Sequence, residues 1–387
     1  MGKSRGAGVL LSMIAGVLAG VLAAGLVMLA FNSTTWGRVS EEAAPVFNME
    51  AGSPRVSLAA VGDIMLARKV GRLMEEKGNH YPVDAIAQRL AAADVTFGNL
   101  ESPIGTGGTP LPQKGIWFRA KPERVEALVL SGFDAVSIAN NHALDYDSKV
   151  FLDTLDILDQ RGIKAVGGGV DIDHARKPVI IEKNGLSIGF LAYSEMADII
   201  WSFNYPRMLM ASEDTPGIAP AGPRYEAEIL EDVEKLAPNV DIVVVSLHWG
   251  TEYQYSPMDS QRDFGHRLID AGVDLIIGHH PHTLQGLERY GNGLIAYSLG
   301  NFIFDQNFSQ QTTEGLLLEV TLTPMGVENA TVSPVVIPQS QPRIAAGEDA
   351  ARVNKLTASL SKDLGLDFEW QFDMPVLSLQ EDSGMKI

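Results

Sequence analysis

The sequence predicts an α/β protein whose sheets are mixed. From Val56 onward, short apolar runs alternate with amphipathic stretches of helical period, which is typical of α/β domains. Two pairs of β-rich runs with turn residues between them add antiparallel hairpins to this pattern. The chain has 387 residues, of which 45% are hydrophobic and 20% charged. Such a chain can bury the core of one large domain or two ordinary ones without disulfide bonds.

The individual elements follow from local patterns. Lys183-Asn184-Gly185 divides the run 177–194 into a hairpin, and a second hairpin is expected after Leu316. Amphipathic stretches that end at glycine predict helices at 122–132, 151–162 and 260–272, and a further helix is expected at about 348–364. Apolar runs predict buried strands at 56–61, 94–98, 134–139, 240–247, 273–278 and 293–299.

The N-terminus predicts a membrane anchor. Lys3 and Arg5 precede the segment from Val9 to Phe31, which carries no charged residue. At ~1.5 Å per residue the segment reaches ~35 Å, enough to cross a hydrocarbon core of ~30 Å. The basic residues before it and acidic residues after it leave the N-terminus in the cytoplasm and the rest of the chain outside the cell. A long, cleaved signal peptide is the alternative, and it leads to the same compartment.

This organisation divides the chain into four parts. We expect a cytoplasmic stub and single-pass signal anchor at 1–31 and a polar linker at 32–54. The main domain is expected at 55–340, followed by a C-terminal extension at 341–387.

Composition excludes several classes of function. The chain has no cysteine, which excludes disulfides, thiolate zinc sites and cysteine nucleophiles. The formal net charge is −18, and so acidic a chain repels nucleic acid.

Polar residues suited to metal chemistry follow most of the predicted strands directly. Ligands of open α/β sheets bind outside the carboxyl ends of the strands, so these clusters converge on one rim if the strands are neighbours. The chain has eight histidines, and several of them fall in these clusters. The clusters are Gly62-Asp63, Asn99-Leu100-Glu101, Asn140-Asn141-His142 with Asp145, His248 with Glu252, His279-His280-Pro281-His282, and Gly300-Asn301 with Asp305.

Each cluster alone also has a structural interpretation. Gly62-Asp63 can be a turn, Glu101 a helix-cap partner, and His248 a core histidine bonded to a carbonyl. Together, however, carboxylates, an asparagine and neutral imidazoles suit Mn²⁺, Fe²⁺ or Zn²⁺. A carboxylate can bridge two such ions ~3.5–4 Å apart, as in two-metal hydrolases. The sequence therefore predicts a site for one or two divalent ions.

The ordered set of motifs resembles the CapA-type poly-γ-glutamate capsule synthesis proteins. The motifs, within about 56–310, are VGDIML, FGNLESP, SIANNHALDYD, VVSLHWGTEY, IIGHHPHTLQGLE and YSLGNFIFD. That family is similar to the calcineurin-like metallophosphoesterases. The resemblance implies a four-layer α/β/β/α sandwich of metallophosphoesterase type and a dinuclear metal site.

The resemblance also implies roles for individual residues. Asn141 and His142 match an Asn-His pair, with Asn141 as a ligand and His142 as a proton donor or phosphate contact. Glu101 stands where phosphoesterases have a bridging aspartate. The implied metal ligands are Asp63, Glu101, Asn141, His248, His279 and His282, and the implied catalytic residues are His142, Asn141 and Glu101. The spacing also permits a His280/His282 pair instead of His279/His282.

Two positions depart from the phosphoesterase pattern. Met65 occupies the place of the histidine in the Asp-x-His motif, so the first metal lacks one imidazole. Glu101 replaces a shorter aspartate. A mononuclear or weak site is therefore an alternative to the dinuclear one.

Three functions are compatible with these motifs. The resemblance implies a membrane-anchored hydrolase or transferase acting on poly-γ-glutamate or a related cell-surface polymer, together with a membrane synthase or export complex. A non-catalytic component of the export or assembly complex is the second hypothesis, and a cell-surface phosphoesterase is the third.

Two further groups of residues lie near the motifs in sequence. The aromatic segment 201–208 is either a packed loop or a lid over the site. Most of the basic residues near the motifs are expected to be solvated, and these are Arg68, Lys69, Lys114, Arg119 and Lys121.

Overall fold

The computed structural model describes residues 52–202, 204–205 and 207–366, and the backbone of 369–371 and 374–378. The predicted cytoplasmic stub, the signal anchor and most of the linker lie outside these residues. Among the residues described, no helix combines the length and the apolar character needed to span a bilayer.

The strands and helices alternate along most of the described chain. The helices are α1 (Arg68–Lys77), α2 (Ala87–Leu90), α3 (Glu126–Leu130), α4 (Asp147–Gln160), α5 (Ile172–Arg176), α6 (Glu226–Leu236), α7 (Asp259–Asp270) and α8 (Gly347–Lys362). The strands are β1 (Val56–Ile64), β2 (Val95–Leu100), β3 (Ala135–Ser137), β4 (Lys164–Val166), β5 (Gly168–Gly169), β6 (Val179–Lys183), β7 (Leu186–Ser194), β8 (Gly217–Ile218), β9 (Ile242–His248), β10 (Leu275–His279), β11 (Leu287–Tyr290), β12 (Gly293–Ala296), β13 (Asn301–Ile303), β14 (Glu314–Thr323), β15 (Gly326–Val336), β16 (Arg343–Ile344), β17 (Glu369–Gln371) and β18 (Met374–Ser378).

Strand β1 is the centre of the larger sheet. The order is β17-β18-β15-β14-β1-β2-β3-β4, with β13 paired to the end of β1 and β16 paired to β15. Strands β1 to β4 are parallel, whereas β14 joins β1 in the antiparallel direction. One neighbour of β1 is therefore the next strand in the chain, β2, whereas the other, β14, comes from a distant part of the chain and forms a hairpin with β15.

The second large sheet has the order β11-β12-β10-β9-β7-β6. Its inner strands β7, β9, β10 and β12 are parallel, and antiparallel strands β6 and β11 form the two edges. Inner strands that are buried on both sides read as continuous apolar runs, which explains why 240–247 and 273–278 were recognisable.

The two sheets share one hydrophobic core. Phe97 of β2 stacks on Phe190 of β7, with ring centroids 5.3 Å apart, and side chains from both sheets continue this core. A second core lies on the other face of the six-stranded sheet, where helices α6 and α7 bury residues such as Val233 and Leu268. Helix α8 packs beside β11, where Ser361 accepts a hydrogen bond from the Leu287 amide at 2.9 Å.

The structure confirms the mixed α/β class and both hairpins. The first hairpin is β6–β7 and the second is β14–β15, each with the antiparallel pairing that the turn residues predict. The glycine-terminated helices also form, although the one expected at 122–132 is an α-helix only over Glu126–Leu130, and the six expected strands form with ends that shift by up to three residues. Helices α1, α2, α5 and α6 were not predicted from the sequence, and neither were several short strands, among them β4, β11 and β13.

We expect Phe97→Ala to lower the free energy of unfolding by about 3–5 kcal/mol, because it leaves a cavity between the sheets. Phe308→Ala is the matched control, since Phe308 is 66% exposed and should change stability by less than about 1 kcal/mol. Urea unfolding of the two variants measures the difference. Equal effects would show that the contact between the sheets does not stabilise the fold.

Candidate metal centre

The predicted strand-end clusters meet at one place. Asp63 at the end of β1 is in register with Asn99 of β2, and His279 at the end of β10 is in register with His248 of β9. These two pairs belong to different sheets, and strands β1 and β10 contact each other. The carboxyl ends of parallel strands from both sheets therefore form a common rim.

Three buried side chains at this rim can hold a metal ion. One ligand atom from each of Asp63, Glu101 and His248 lies within 4.8 Å of the others, and all three residues are buried. Neither Glu101 oxygen has a hydrogen-bond partner among the described residues. A buried carboxylate without donors is costly unless a cation compensates it, so these residues fit a divalent ion.

His279 and His282 lie on the Asp63 side of this group. The Nδ1 atoms of His279 and His282 are 3.5 Å and 3.2 Å from oxygens of Asp63. Nε2 of His282 is 3.6 Å from Oε1 of Glu101. Neither ring nitrogen of His279 has a hydrogen-bond partner among the residues described.

Asparagines also contact this group. Asn141 Oδ1 is 3.1 Å from Nε2 of His248, which brings this predicted ligand to the group. Asn99 donates from Nδ2 to Asp63 Oδ1 at 2.8 Å, and Asn140 donates to Asn99 Oδ1 at 3.1 Å. The sequence clusters contained Asn99 and Asn140, but neither was among the predicted site residues.

His280 also faces the group. Its ring centroid is 4.7 Å from that of His248, and its Nδ1 has no hydrogen-bond partner in the described chain. Its φ of +97° is a strained conformation for a residue with a side chain, and its amide lies 3.4 Å from Asp63 Oδ2. Both histidine pairs that the spacing permits are therefore at the centre, and the choice between His279 and His280 stays open.

His142 lies beside the centre in a second buried cluster. Its Nδ1 is 2.7 Å from Asp145 Oδ2, and its ring stacks on Phe118 with centroids 3.9 Å apart. Lys114 donates to the other oxygen of Asp145 and to the Asn141 carbonyl oxygen. The side chain of Lys114 is 2% exposed, so the expectation of a solvated residue is wrong at this position.

The burial of Lys114 could not be predicted from the sequence, because the residue lies in a loop without periodicity. The other basic residues near the motifs are more accessible, as expected for most of them. Arg68 pairs with Asp305 and keeps 38% of its side chain exposed, and Lys121 pairs with Glu75 and keeps 55%.

Met65 stands in the place of the missing imidazole, but its sulfur contacts its own loop. Its sulfur lies 3.1 Å from the backbone nitrogen of Ala67, within its own loop, and the residue is fully buried.

Burial controls the charge of the carboxylates. Burial raises the pKa of Glu101 well above its usual range, and the charges of Asp63 and Glu252 add to this effect. Burial also disfavours ionised Asp63, but the imidazoles of His279 and His282 outweigh it and lower the Asp63 pKa. The negative charge of Asp63 is therefore compensated within the protein, whereas Glu101 needs either a bound cation or a proton.

Burial and neighbouring charges also give the histidines different pKa values. It lowers the pKa of His142 to about 4 and that of His280 to about 3, and it lowers the pKa of His248 well below its usual range. His282 is the exception, because Glu101 and Asp63 overcome its burial and raise its pKa to about 9. Neutral imidazoles at neutral pH are available as ligands or proton acceptors.

Three described residues of the aromatic segment 201–208 contact residues close to His142, and these are Trp201, Tyr205 and Arg207. Arg207 donates to Asp147 Oδ1 at 2.7 Å, and Tyr205 bonds to the same carboxylate. The ring of Trp201 lies 5.0 Å from the Lys114 ammonium. These contacts favour the packed-loop interpretation over the lid.

Comparison with known proteins identifies a family and several relatives that match the part of the chain containing these residues. The family described as "Bacterial capsule synthesis protein PGA_cap" matches residues 57–306. The chain is 32% identical over 334 residues to the PGA biosynthesis protein CapA of Bacillus subtilis strain 168, covering 86% of this chain and 84% of that protein. It is 30% identical over 345 residues to the capsule biosynthesis protein CapA of Bacillus anthracis, covering 87% and 80%. A probable polyglutamine synthesis accessory protein of Mycobacterium tuberculosis is 29% identical over 296 residues, covering 66% and 76%.

We expect Lys114→Met to lower the free energy of unfolding by about 3 kcal/mol or more, because it leaves the Asp145 carboxylate buried without its cation. Lys121→Met removes an exposed pair and should cost less than about 1 kcal/mol. Denaturant unfolding compares them. A Lys114→Met variant as stable as the control would mean that Asp145 does not depend on the ammonium.

Proposed function

Because the chain belongs to the bacterial capsule synthesis protein family PGA_cap, we propose that it acts in the biosynthesis, export or anchoring of poly-γ-glutamate at the cell surface. The names of the two Bacillus relatives support this role, since both are CapA proteins of PGA or capsule biosynthesis. Its partners on this proposal are the polymer or a related cell-surface polymer and a membrane synthase or export complex.

We further propose that the protein is metal-dependent. The observation that carries this is Glu101, a fully buried carboxylate whose two oxygens lack hydrogen-bond partners among the described residues, next to Asp63 and His248. Mn²⁺, Fe²⁺ or Zn²⁺ suits this mixture of carboxylate and imidazole ligands. The residues that would hold one or two ions are Asp63, Glu101, Asn141, His248, His282 and either His279 or His280.

The fold we propose is the four-layer α/β/β/α sandwich of metallophosphoesterase type. The shared core around Phe97 and Phe190 supports the two inner layers, and the packing of α6 and α7 on the six-stranded sheet supports one outer layer.

In a hydrolase-type reaction, His142, Asp145 and Lys114 would have different roles. A bound divalent ion supplies a Lewis acid that activates water and stabilises negative charge on a phosphoryl or acyl oxygen. His142 is neutral, because burial lowers its pKa to about 4, and Asp145 engages its Nδ1. His142 Nε2 then carries a lone pair that accepts a proton or a hydrogen bond from a substrate at the rim, so on this proposal the neutral ring is a proton acceptor rather than the proton donor that the resemblance implies. Asp145 and Lys114 hold the ring in place.

One observation favours a second candidate, a non-catalytic component of the export or assembly complex. Met65 replaces an imidazole of the phosphoesterase pattern, and its sulfur faces the Ala67 amide rather than an open ligand position. In that case an ion would hold the rim together without driving a reaction. A cell-surface phosphoesterase is the remaining alternative.

We also propose that Val9–Phe31 anchors the protein in the cell membrane as a single-pass segment, with the main domain outside the cell. Its uncharged length and the preceding Lys3 and Arg5 support this topology.

The metal proposal predicts that purified full-length protein contains about one to two transition-metal ions per chain by elemental analysis. A His279→Ala/His282→Ala variant should lose them while remaining folded by circular dichroism. The matched control is His80→Ala/His174→Ala, which removes two histidines whose side chains are 54% and 60% exposed. The control should keep its metal.

The outcomes separate the alternatives. Two ions support the dinuclear site, and one ion indicates that Met65 has reduced it. If no metal binds after Mn²⁺, Fe²⁺ or Zn²⁺ is supplied, the hydrolase mechanism fails and the assembly-component role is favoured. Assays on phosphoesters and on poly-γ-glutamate then distinguish the two catalytic alternatives.

The absence of native cysteine allows a direct test of topology. We expect Met325→Cys, at a position 60% exposed, to react with a membrane-impermeant maleimide in intact cells. Ser4→Cys should react only after lysis, because residue 4 lies in the cytoplasmic stub. Protection of Cys at 325 in intact cells would contradict an extracellular domain, and loss of residue 4 from the mature protein would identify a cleaved signal peptide.

A further inference from the structure

Asn301 is a buried amide at the start of β13 that the predicted ligand set does not contain. It is fully inaccessible to solvent and pairs in register with Asp63 of β1. Its side chain lies between the metal-site histidine His282 and the loop that carries Thr312. A polar group in this position must have its hydrogen bonds satisfied within the protein.

The surroundings of Asn301 determine which way its amide points. Nδ2 donates to the Thr312 carbonyl at 2.9 Å and to Gln306 Oε1 at 3.2 Å, and it lies 3.5 Å from the His282 carbonyl. Two of these atoms are backbone carbonyl oxygens, which can only accept. Reversing the amide would place its oxygen against them, so Oδ1 is the atom that faces His282.

This orientation in turn determines the proton of His282. Its Nδ1 is 2.9 Å from Asn301 Oδ1 and 3.2 Å from Asp63 Oδ2. Both oxygens are acceptors when Asp63 is ionised, so Nδ1 must carry a hydrogen. The lone pair available to an ion then belongs to Nε2, which lies 3.6 Å from Glu101 Oε1. That separation allows one ion to bind both atoms at about 2.0–2.2 Å.

We propose that Asn301 is a positioning residue that holds His282 with its proton on Nδ1 and presents Nε2 to the metal, between the ring and Glu101. The ligand atom is thereby chosen jointly by Asp63 and by an amide outside the proposed ligand set. This inference rests on the metal-binding role proposed above. Partners that orient a ligating imidazole in this way typically change metal affinity by about 10–100-fold when removed.

The test combines affinity with a spectroscopic measurement of the ring. Full-length protein labelled with ¹⁵N-histidine and loaded with Zn²⁺ is studied by long-range ¹H–¹⁵N correlation, and a His282→Gln variant identifies the signals. We expect His282 to keep a hydrogen on Nδ1 and to bind zinc through Nε2. Asn301→Leu leaves Asp63 as the remaining acceptor for Nδ1, so it should shift the Nδ1 and Nε2 signals of His282 and raise the Zn²⁺ dissociation constant about 10–100-fold by calorimetry.

Two further variants separate positioning from general support. Asn301→Asp retains an acceptor oxygen toward His282, and its second oxygen, when protonated, can donate to the Thr312 carbonyl as the amide does, so the variant should keep the hydrogen on Nδ1. Gln306→Leu removes a neighbour of the Asn301 amino group but leaves Oδ1 in place, and it should change zinc affinity by less than about threefold. Equal losses in Gln306→Leu and Asn301→Leu would overturn the proposal, as would zinc bound through Nδ1 in the unaltered protein.

The proposal can fail independently of metal binding. If the protein binds no Zn²⁺, the metal-dependent function fails, and the ring is then examined in the metal-free protein at a pH at which its own ¹⁵N signals show it to be neutral. There the ring of the unaltered protein should carry its hydrogen on Nδ1. A hydrogen on Nε2 under these conditions would overturn the inference about Asn301.

Discussion

The burial of Asp63 and Glu101 side by side is the constraint on which the rim depends. Two carboxylates in a medium of low dielectric cannot both stay ionised unless positive charge or hydrogen-bond donors compensate them. Asp63 receives such compensation from the Asn99 amide and two imidazoles. Glu101 receives no hydrogen bond within the described chain, and its nearest basic atom is 3.6 Å away on His282. The unmatched carboxylate is the feature that favours a bound cation over a stable internal network at this group.

Asp63 and Glu101 follow neighbouring parallel strands of one sheet, β1 and β2, and glycines allow close backbone contacts at the strand ends. A β-carbon at Gly62, directly before Asp63, would lie 1.9 Å from the Gly300 carbonyl oxygen. One at Gly278, directly before His279, would lie 1.9 Å from the Tyr297 carbonyl oxygen. Neither contact is possible for a side chain, so glycine at both positions allows the strand ends to approach neighbouring backbone. The ligands on either sheet depend on these two approaches.

The sequence predicted the strands, the hairpins and the strand-end clusters because each depends on local patterns. A buried parallel strand is a continuous apolar run, and polar residues directly after it must lie at its carboxyl end. The histidines at 248, 279, 280 and 282 were recognisable for this reason. The same reasoning could not identify Lys114, whose ion pair with Asp145 joins a loop without periodicity to another loop. Asn301 stood in a recognised cluster, but its role depends on which of its atoms faces His282, and only atomic positions show that.

The charge balance around the rim limits how an anionic polymer can approach it. The chain carries a net charge of −18, which opposes a polyglutamate substrate at long range. Several basic residues near the motifs are paired, because Lys114 contacts Asp145, Arg68 contacts Asp305 and Lys121 contacts Glu75. Arg119 lies over the Tyr146 ring at 4.1 Å. On the proposed function, a bound metal ion would add positive charge at the rim beside His282, whose pKa is raised to about 9. The ion would then serve substrate binding as well as chemistry, so an assembly component that merely holds the polymer would still need Glu101 and its neighbouring ligands.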